Sequence, residues 1–119
     1  MEEYKPKVGP IKLSVIEHAL QGIIEEMMVS IERTSRSTIT AVAHDYGSAI
    51  MTAGGDLAAV GLGIPIQGCG LNFAVRSTLK YFDYDIKEGD LFIANDPYTF
   101  DGCSGHFADV AVLAPVFYK

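Results

Sequence analysis

The sequence predicts an α+β domain: an N-terminal helix, an antiparallel β-meander, a second helix and two returning strands. Three observations carry that expectation. Apolar residues early in the chain recur at helical spacing. The pattern then shifts to short β-forming runs separated by glycine turns, and a second helical stretch precedes two short apolar runs.

Residues 13 to about 35 form the first helix. Leu13, Ile16, Leu20, Ile23, Met27 and Ile31 step by three and four, and Ile24 and Met28 widen the stripe. Ser14 and Glu17 have the spacing of a capping box, which places the helix start there. Glu25 and Glu26 lie along the polar flank, and Arg33 and Arg36 sit near the C-terminal end, where cations suit the dipole. Such a stripe predicts a face turned to the core, with burial against a partner subunit as its other use. His18, on this helix, has a structural or surface role.

From Thr38 the pattern changes. Residues 38–43 are rich in β-formers, His44-Asp45-Tyr46-Gly47 supplies turn chemistry, and 48–53 reads as another strand. Gly54-Gly55-Asp56 makes a tight turn into 57–60. Six of the twelve glycines fall between positions 54 and 70, around Ile64-Pro65-Ile66. That density marks loops needing positive φ, or backbone that must approach something closely. The glycines match no nucleotide motif: neither Gly61-x-Gly63 nor Gly68-x-Gly70 has a third glycine at the dinucleotide spacing, and no Gly-Lys-Ser/Thr follows. Residues 71–82 form the second helix, with Leu71, Val75, Leu79 and Phe82 along one side. A polar connector at 83–90 leads to a short buried strand at 91–94, and 110–117 is a strongly apolar strand.

A chain of 119 residues matches one domain, 1–119. Its 49% hydrophobic and 20% charged residues exclude disorder, because so much apolar surface collapses. Nine Lys+Arg against fifteen Asp+Glu give a net charge of −6. With no basic patch, nucleic acid and anionic membranes are poor partners. No stretch approaches the ~20 apolar residues of a membrane span, and the first ten residues lack the apolar core of a signal peptide. Cys69 and Cys103 are far apart and lack the spacing of a zinc or redox pair, so free thiols in a reducing, cytoplasmic setting are expected, with a single disulfide as the alternative.

The chemistry-bearing segment is Gly89-Asp90-Leu91-Phe92-Ile93-Ala94-Asn95-Asp96-Pro97-Tyr98, followed by His106-x-x-Asp109. A strand ends in Asn95 and Asp96, which favour a turn, and Pro97 stops the ladder. Polar side chains projected from a strand end into a loop are common active-site equipment, which makes Asn95 and Asp96 catalytic candidates. Residues three apart face opposite sides of a strand but converge in a bend, and Gly105 makes a bend at His106 plausible. Imidazole with carboxylate suits Zn²⁺ or Mn²⁺. The same pair also fits a hydrogen bond that orders the loop, and His44 with Asp45 makes a doubtful third ligand. Cys103 with His106 could form a thiolate–imidazolium pair, but nothing in the flanking residues supports it.

In order along the chain, these segments resemble the N-terminal part of the hydantoinase B/oxoprolinase family. The match is carried by Val15-Ile16-Glu17 through Glu25-Glu26-Met27, and by Arg33-Thr34-Ser35-Arg36-Ser37. It continues in His44-Asp45-Tyr46-Gly47-Ser48-Ala49-Ile50, Gly61-Leu62-Gly63-Ile64-Pro65-Ile66, Asn95-Asp96-Pro97-Tyr98, His106-x-x-Asp109 and Pro115-Val116-Phe117. The resemblance implies ATP-dependent chemistry at a carbonyl. A hydantoinase A-type partner subunit would bind ATP and Mg and phosphorylate the substrate's enol or imidate oxygen. The B-type chain would hydrolyse the activated hydantoin, lactam or 5-oxoproline-like ring. In the carboxylase branch it would instead join an activated ketone to carbonate.

By the same resemblance His106 and Asp109 are ligands of a divalent metal, Zn or Mn, shared with a later histidine. The metal would polarise a carbonyl or orient water or bicarbonate. Two departures stand out. The stretch from Tyr98 to His106 is longer than usual for the family, making 99–105 the place of an insertion, and Gln67 stands where many members carry histidine. Because family members are much longer, the resemblance implies an N-terminal portion of a hetero-oligomeric enzyme, whether fragment or split subunit. A noncatalytic assembly piece that buries the 13–31 stripe against partner subunits is the alternative.

Overall fold

A computed structural model of the chain describes residues 7–61, 63–102 and 107–118. It shows three helices and, among those residues, two separate two-stranded antiparallel sheets, which is the expected α+β class.

Helix α1 spans Pro10–Thr34. Proline suits the first helical position, where its missing N–H costs no bond, so the helix starts before the capping-box spacing predicts. Gly9 is the N-cap and makes no side-chain cap bond, and Leu13 N–H donates to Gly9 O at 3.0 Å. Ser14 therefore lies inside the helix, where its hydroxyl faces exposed His18 Nδ1 at 3.4 Å, and the His18 ring also bonds Ser14 O at 2.7 Å. The apolar stripe is only partly covered. Ile24 is fully buried and Met28 half-buried, but Leu13, Ile16, Ile23 and Met27 are 40–49% exposed. The covered strip is thus narrower than the periodicity predicts. It is set by the small hairpin beneath, where Gly61 lies so close that a Cβ would overlap Met28 Sδ and Ile24 Cγ2.

The strand expected at 38–43 is instead a helical turn, α2, Thr38–Ala41. Its amides bond locally, Ala41 N–H to Ser37 O and Val42 N–H to Thr38 O, so no partner strand is needed. β-propensity expresses packing on a pleated surface, and Ile39 and Val42, both exposed, have none to pack on. The meander reduces to a hairpin, β1 (Ala49–Met51) and β2 (Leu57–Val60), with Ala49 opposite Val60 and a bulge after Ile50. The Gly54-Gly55-Asp56 turn forms as expected: Gly55 takes φ +81° and its N–H donates to Thr52 O.

Helix α3 spans Pro65–Tyr81, six residues longer at its start than the 71–82 pattern implies. Pro65 again opens the helix, and Gly68, Cys69 and Gly70 are helical rather than looped. Close approach is the reason for the glycines. A Cβ on Gly47 would sit 2.5 Å from Gly68 N, and one on Gly63 would overlap Tyr46 O. The loop at 44–47 therefore lies backbone-to-backbone against the start of α3. Beyond the helix, β3 (Phe92–Ala94) pairs with β4 (Ala111–Leu113), with Ala94 opposite Ala111. Both strands are shorter than expected, and only one face is covered. Ala111 and Leu113 pack with Ala74 and Leu71 of α3, whereas Ile93 and Val112 point outward, 72% and 60% exposed. Helix α3 touches both sheets and so fixes where the two ends of the site lie.

Among the described residues no helix is long and apolar enough to cross a membrane.

Candidate functional site

Among the described residues, two concavities border α3. The smaller, about 280 Å³, is lined by Asp45, Tyr46 and Gly47, by Gln67 from the first turn of α3, and by Asp109 and its neighbours before β4. The larger, about 440 Å³, lies between Ser77 and Tyr81 of α3, with Phe82 just past its end, and the stretch through Asn95 and Asp96.

The smaller concavity is built around the loop at 44–47. His44 takes a left-handed backbone, φ +53°, a conformation that costs a non-glycine residue roughly 1–2 kcal/mol. Its neighbours hold it there. Glu32, at the C-terminal end of α1, takes a hydrogen bond from the Tyr46 hydroxyl at 2.6 Å and faces His44 Nδ1 at 2.8 Å through the same carboxylate oxygen. The Tyr46 hydroxyl also lies 3.2 Å from Met28 O. Burial, and then the hydrogen bond and charge of Glu32, push the Tyr46 phenol up to about 12, so it stays a neutral donor. Tyr46 in turn holds the Glu32 carboxyl below its usual range, helped by His44.

Asp45 reaches the opposite way and accepts a hydrogen bond from Gln67 Nε2 at 2.8 Å. The other end of that amide, Gln67 Oε1, is buried with no hydrogen-bond partner among the described residues. A buried acceptor left unpaired is unfavourable by about 1–3 kcal/mol, so this oxygen calls for a donor or a cation. Asp45, Gln67 and Asp109, from three distant parts of the chain, thus line this one concavity, and carboxylate and amide oxygens are donor types that divalent cations take. Among the described residues, no three His, Cys, Asp or Glu side chains already form a metal cluster. His106 and Cys103 lie outside the described residues.

Asn95 and Asp96 stand elsewhere, on the larger groove. Asp96 accepts from Tyr98 N–H at 2.8 Å and from the Thr99 hydroxyl. These bonds, the Thr99 one foremost, lower its carboxyl below the usual value. Asn95 donates to Phe107 O at 3.2 Å and so ties the end of β3 to the stretch that leads into Asp109. The far side of the turn is pinned to α3: Ser77 Oγ donates to Gly102 O at 2.8 Å, and Lys80 meets Asp101 at 2.5 Å. Sequence reasoning thus placed Asn95, Asp96 and Asp109 in one constellation, and the structure distributes them over two concavities. It missed Glu32, whose only signal is a polar residue following the stripe at Ile31. It passed over Tyr46 as turn chemistry.

Residues 9–119 match the hydantoinase B/oxoprolinase family. The chain belongs to that family. Relatives include the caprolactamase subunit beta of Pseudomonas jessenii, 37% identical over 112 residues. The 5-oxoprolinase 1 of Arabidopsis thaliana and the 5-oxoprolinase of Dictyostelium discoideum are each 32% identical, over 111 and 113 residues. These alignments take in 94%, 92% and 95% of this chain but 19%, 8% and 9% of the respective relatives. No solved structure matches. Within the hydantoinase B/oxoprolinase family, then, this chain spans a small part of the length of those relatives, and the two concavities lie in that part.

Proposed function

We propose that this chain forms part of the active centre of an ATP-dependent cyclic-amide hydrolase that works as a hetero-oligomer with a hydantoinase A-type subunit. The observation that carries the reading is the convergence of Asp45, Gln67 and Asp109 on one small concavity, from segments 64 residues apart at the extremes. The relatives support the substrate class, since caprolactam and 5-oxoproline are both cyclic amides, and a subunit beta implies a partner.

In this reading Asp109 and Asp45, with His106 three residues before Asp109 in sequence, hold a divalent metal, Zn or Mn, and Gln67 Oε1 is a further oxygen donor. When bound, the metal would polarise a ring carbonyl or orient water. The chain's own groups do the remainder. Gln67 fixes the Asp45 carboxylate through its amide N–H, leaving that carboxylate one fewer lone pair to orient. Asn95 and the ionised Asp96 present polar groups along the larger groove, where they can touch the substrate's amide edge, while Tyr81 and Phe82 supply an apolar wall for ring methylenes. ATP and Mg belong to the partner subunit.

The test pairs metal content with turnover in the assembled enzyme. His106→Ala and Asp109→Asn should each lower bound metal, measured by elemental analysis, and abolish ATP-dependent ring opening of caprolactam, 5-oxoproline and hydantoin. Unchanged metal content overturns the ligand assignment. Ring opening by the chain alone, with no partner and no ATP, overturns the division of labour. ATP turnover that requires bicarbonate would mark a ketone carboxylase instead.

A further inference from the structure

The loop that carries Asp45 is gripped from both sides. His44 and Tyr46 reach back to a single carboxylate oxygen of Glu32 on α1, at 2.8 and 2.6 Å. Between them Asp45 reaches forward to Gln67 on α3, at 2.8 Å. The backbone leaves little freedom for another arrangement. Tyr46 O accepts from Ile64 N–H at 3.2 Å, and a Cβ on Gly47 would sit 2.5 Å from Gly68 N, so the loop backbone lies directly against the start of α3. Glu32 itself is not among the residues that line the small concavity; it acts there through His44 and Tyr46.

We propose that Glu32 is a positioning residue for this site: by accepting from His44 and Tyr46 together it fixes Asp45 at the cavity wall, so that cation binding there depends on a residue of α1. The argument has three parts. Two donors flanking one residue on a shared acceptor restrain that residue's backbone on both sides. The Tyr46 bond is charge-assisted and partly buried, the kind that holds its geometry. The hydrogen bond that the Asp45 side chain accepts from Gln67 runs to a second rigid helix, so a shift of the loop on α1 would break the alignment on α3. This inference rests on the cation reading of the small concavity, and the experiment separates the two.

Mn²⁺ alone is the probe, titrated into the full chain and followed by the electron paramagnetic resonance of the free ion, with thermal unfolding of the metal-free protein recorded alongside. Removing a group that orients a ligand weakens metal affinity by about 10–100-fold. Glu32→Ala is expected to show a loss of that size, and Glu32→Gln, whose amide oxygen still accepts from Tyr46, to recover most of it. Tyr46→Phe keeps the ring and loses one arm, and is expected to fall between. Wild-type affinity in Glu32→Ala, alongside a loss in Asp45→Asn and Asp109→Asn, overturns the positioning role and leaves the cation reading standing. Wild-type affinity in all of these variants overturns the cation reading itself. Should Glu32→Ala unfold before it can be titrated, Tyr46→Phe decides: unchanged affinity there overturns the proposal, and weakened affinity with an unchanged unfolding temperature supports it.

Discussion

At the scale of single residues, the site is made by groups that hold other groups. Asp96 shows this most simply. Its carboxylate accepts from the Thr99 hydroxyl and the Tyr98 amide, and those bonds favour the ionised form, lowering its pKa from the ordinary 3.8. A folded value below the unfolded one means that the contribution to stability is complete above the unfolded pKa and is lost as pH falls through the folded value. Asp96→Ala is therefore expected to be less stable than the parent at neutral pH, with the gap closing as the solution is taken below the carboxylate range. Urea titrations at the two pH values check this. A gap of equal size at both would show that the turn does not depend on the charge. The turn-forming role of Asp96 was legible from Asn-Asp-Pro, because such turns are closed by bonds to residues two and three further on. The Glu32–Tyr46 bond was not legible, because it joins positions 14 apart that no local rule pairs.

At the scale of elements, the two long helices announced themselves and their starts did not. Periodicity located α1 and α3, but Pro10 and Pro65 extended each toward the N-terminus past the first periodic apolar residue. In α3 the misplacement had a physical cause: glycine is a poor helix former, so Gly68 and Gly70 read as loop, yet Gly68 is needed where Gly47 and the Val60 side chain come close. The turn α2 went the other way, since Thr and Ile prefer strands only when a neighbour offers a pleated surface. The packing of α3 on the β3–β4 pair leads to a prediction. Ala74 is fully buried and Ala111 nearly so, and the small side chains let helix and sheet approach closely. Ala74→Leu overpacks that contact and is expected to destabilise by about 1–3 kcal/mol, measured by equilibrium unfolding. A neutral result would mean that the sheet can move away from the helix without loss.

At the scale of the molecule, little apolar surface is fully covered. Among the described residues the buried apolar side chains are Ile24, Ala74 and Ala111, while the start of α1 exposes Ile11, Leu13 and Val15 and the outer face of β3–β4 exposes Ile93 and Val112. Contiguous exposed patches of this kind mark contact surfaces or drive association. Produced by itself, the 119-residue chain is expected to self-associate in light scattering. Replacing Ile11, Val15, Ile93 and Val112 by serine is expected to shift it toward monomer. A chain that is monomeric at all concentrations before any replacement would contradict the exposure argument.

The sequence by itself determined the α+β class, the order of the helices, the tight turn at Gly54-Gly55-Asp56 and, through motifs in a fixed order, the family. All of these depend on local propensity or on residue identity, which a sequence carries directly. Only the tertiary structure decided that Asp45, Gln67 and Asp109 line one concavity, that Asn95 and Asp96 stand on another, and that Glu32 of α1 holds the 44–47 loop. Those juxtapositions arise where backbones cross at glycines and where side chains from distant segments complete one another's hydrogen bonds. Such contacts have no period and no spacing, so they exist only once the chain has folded.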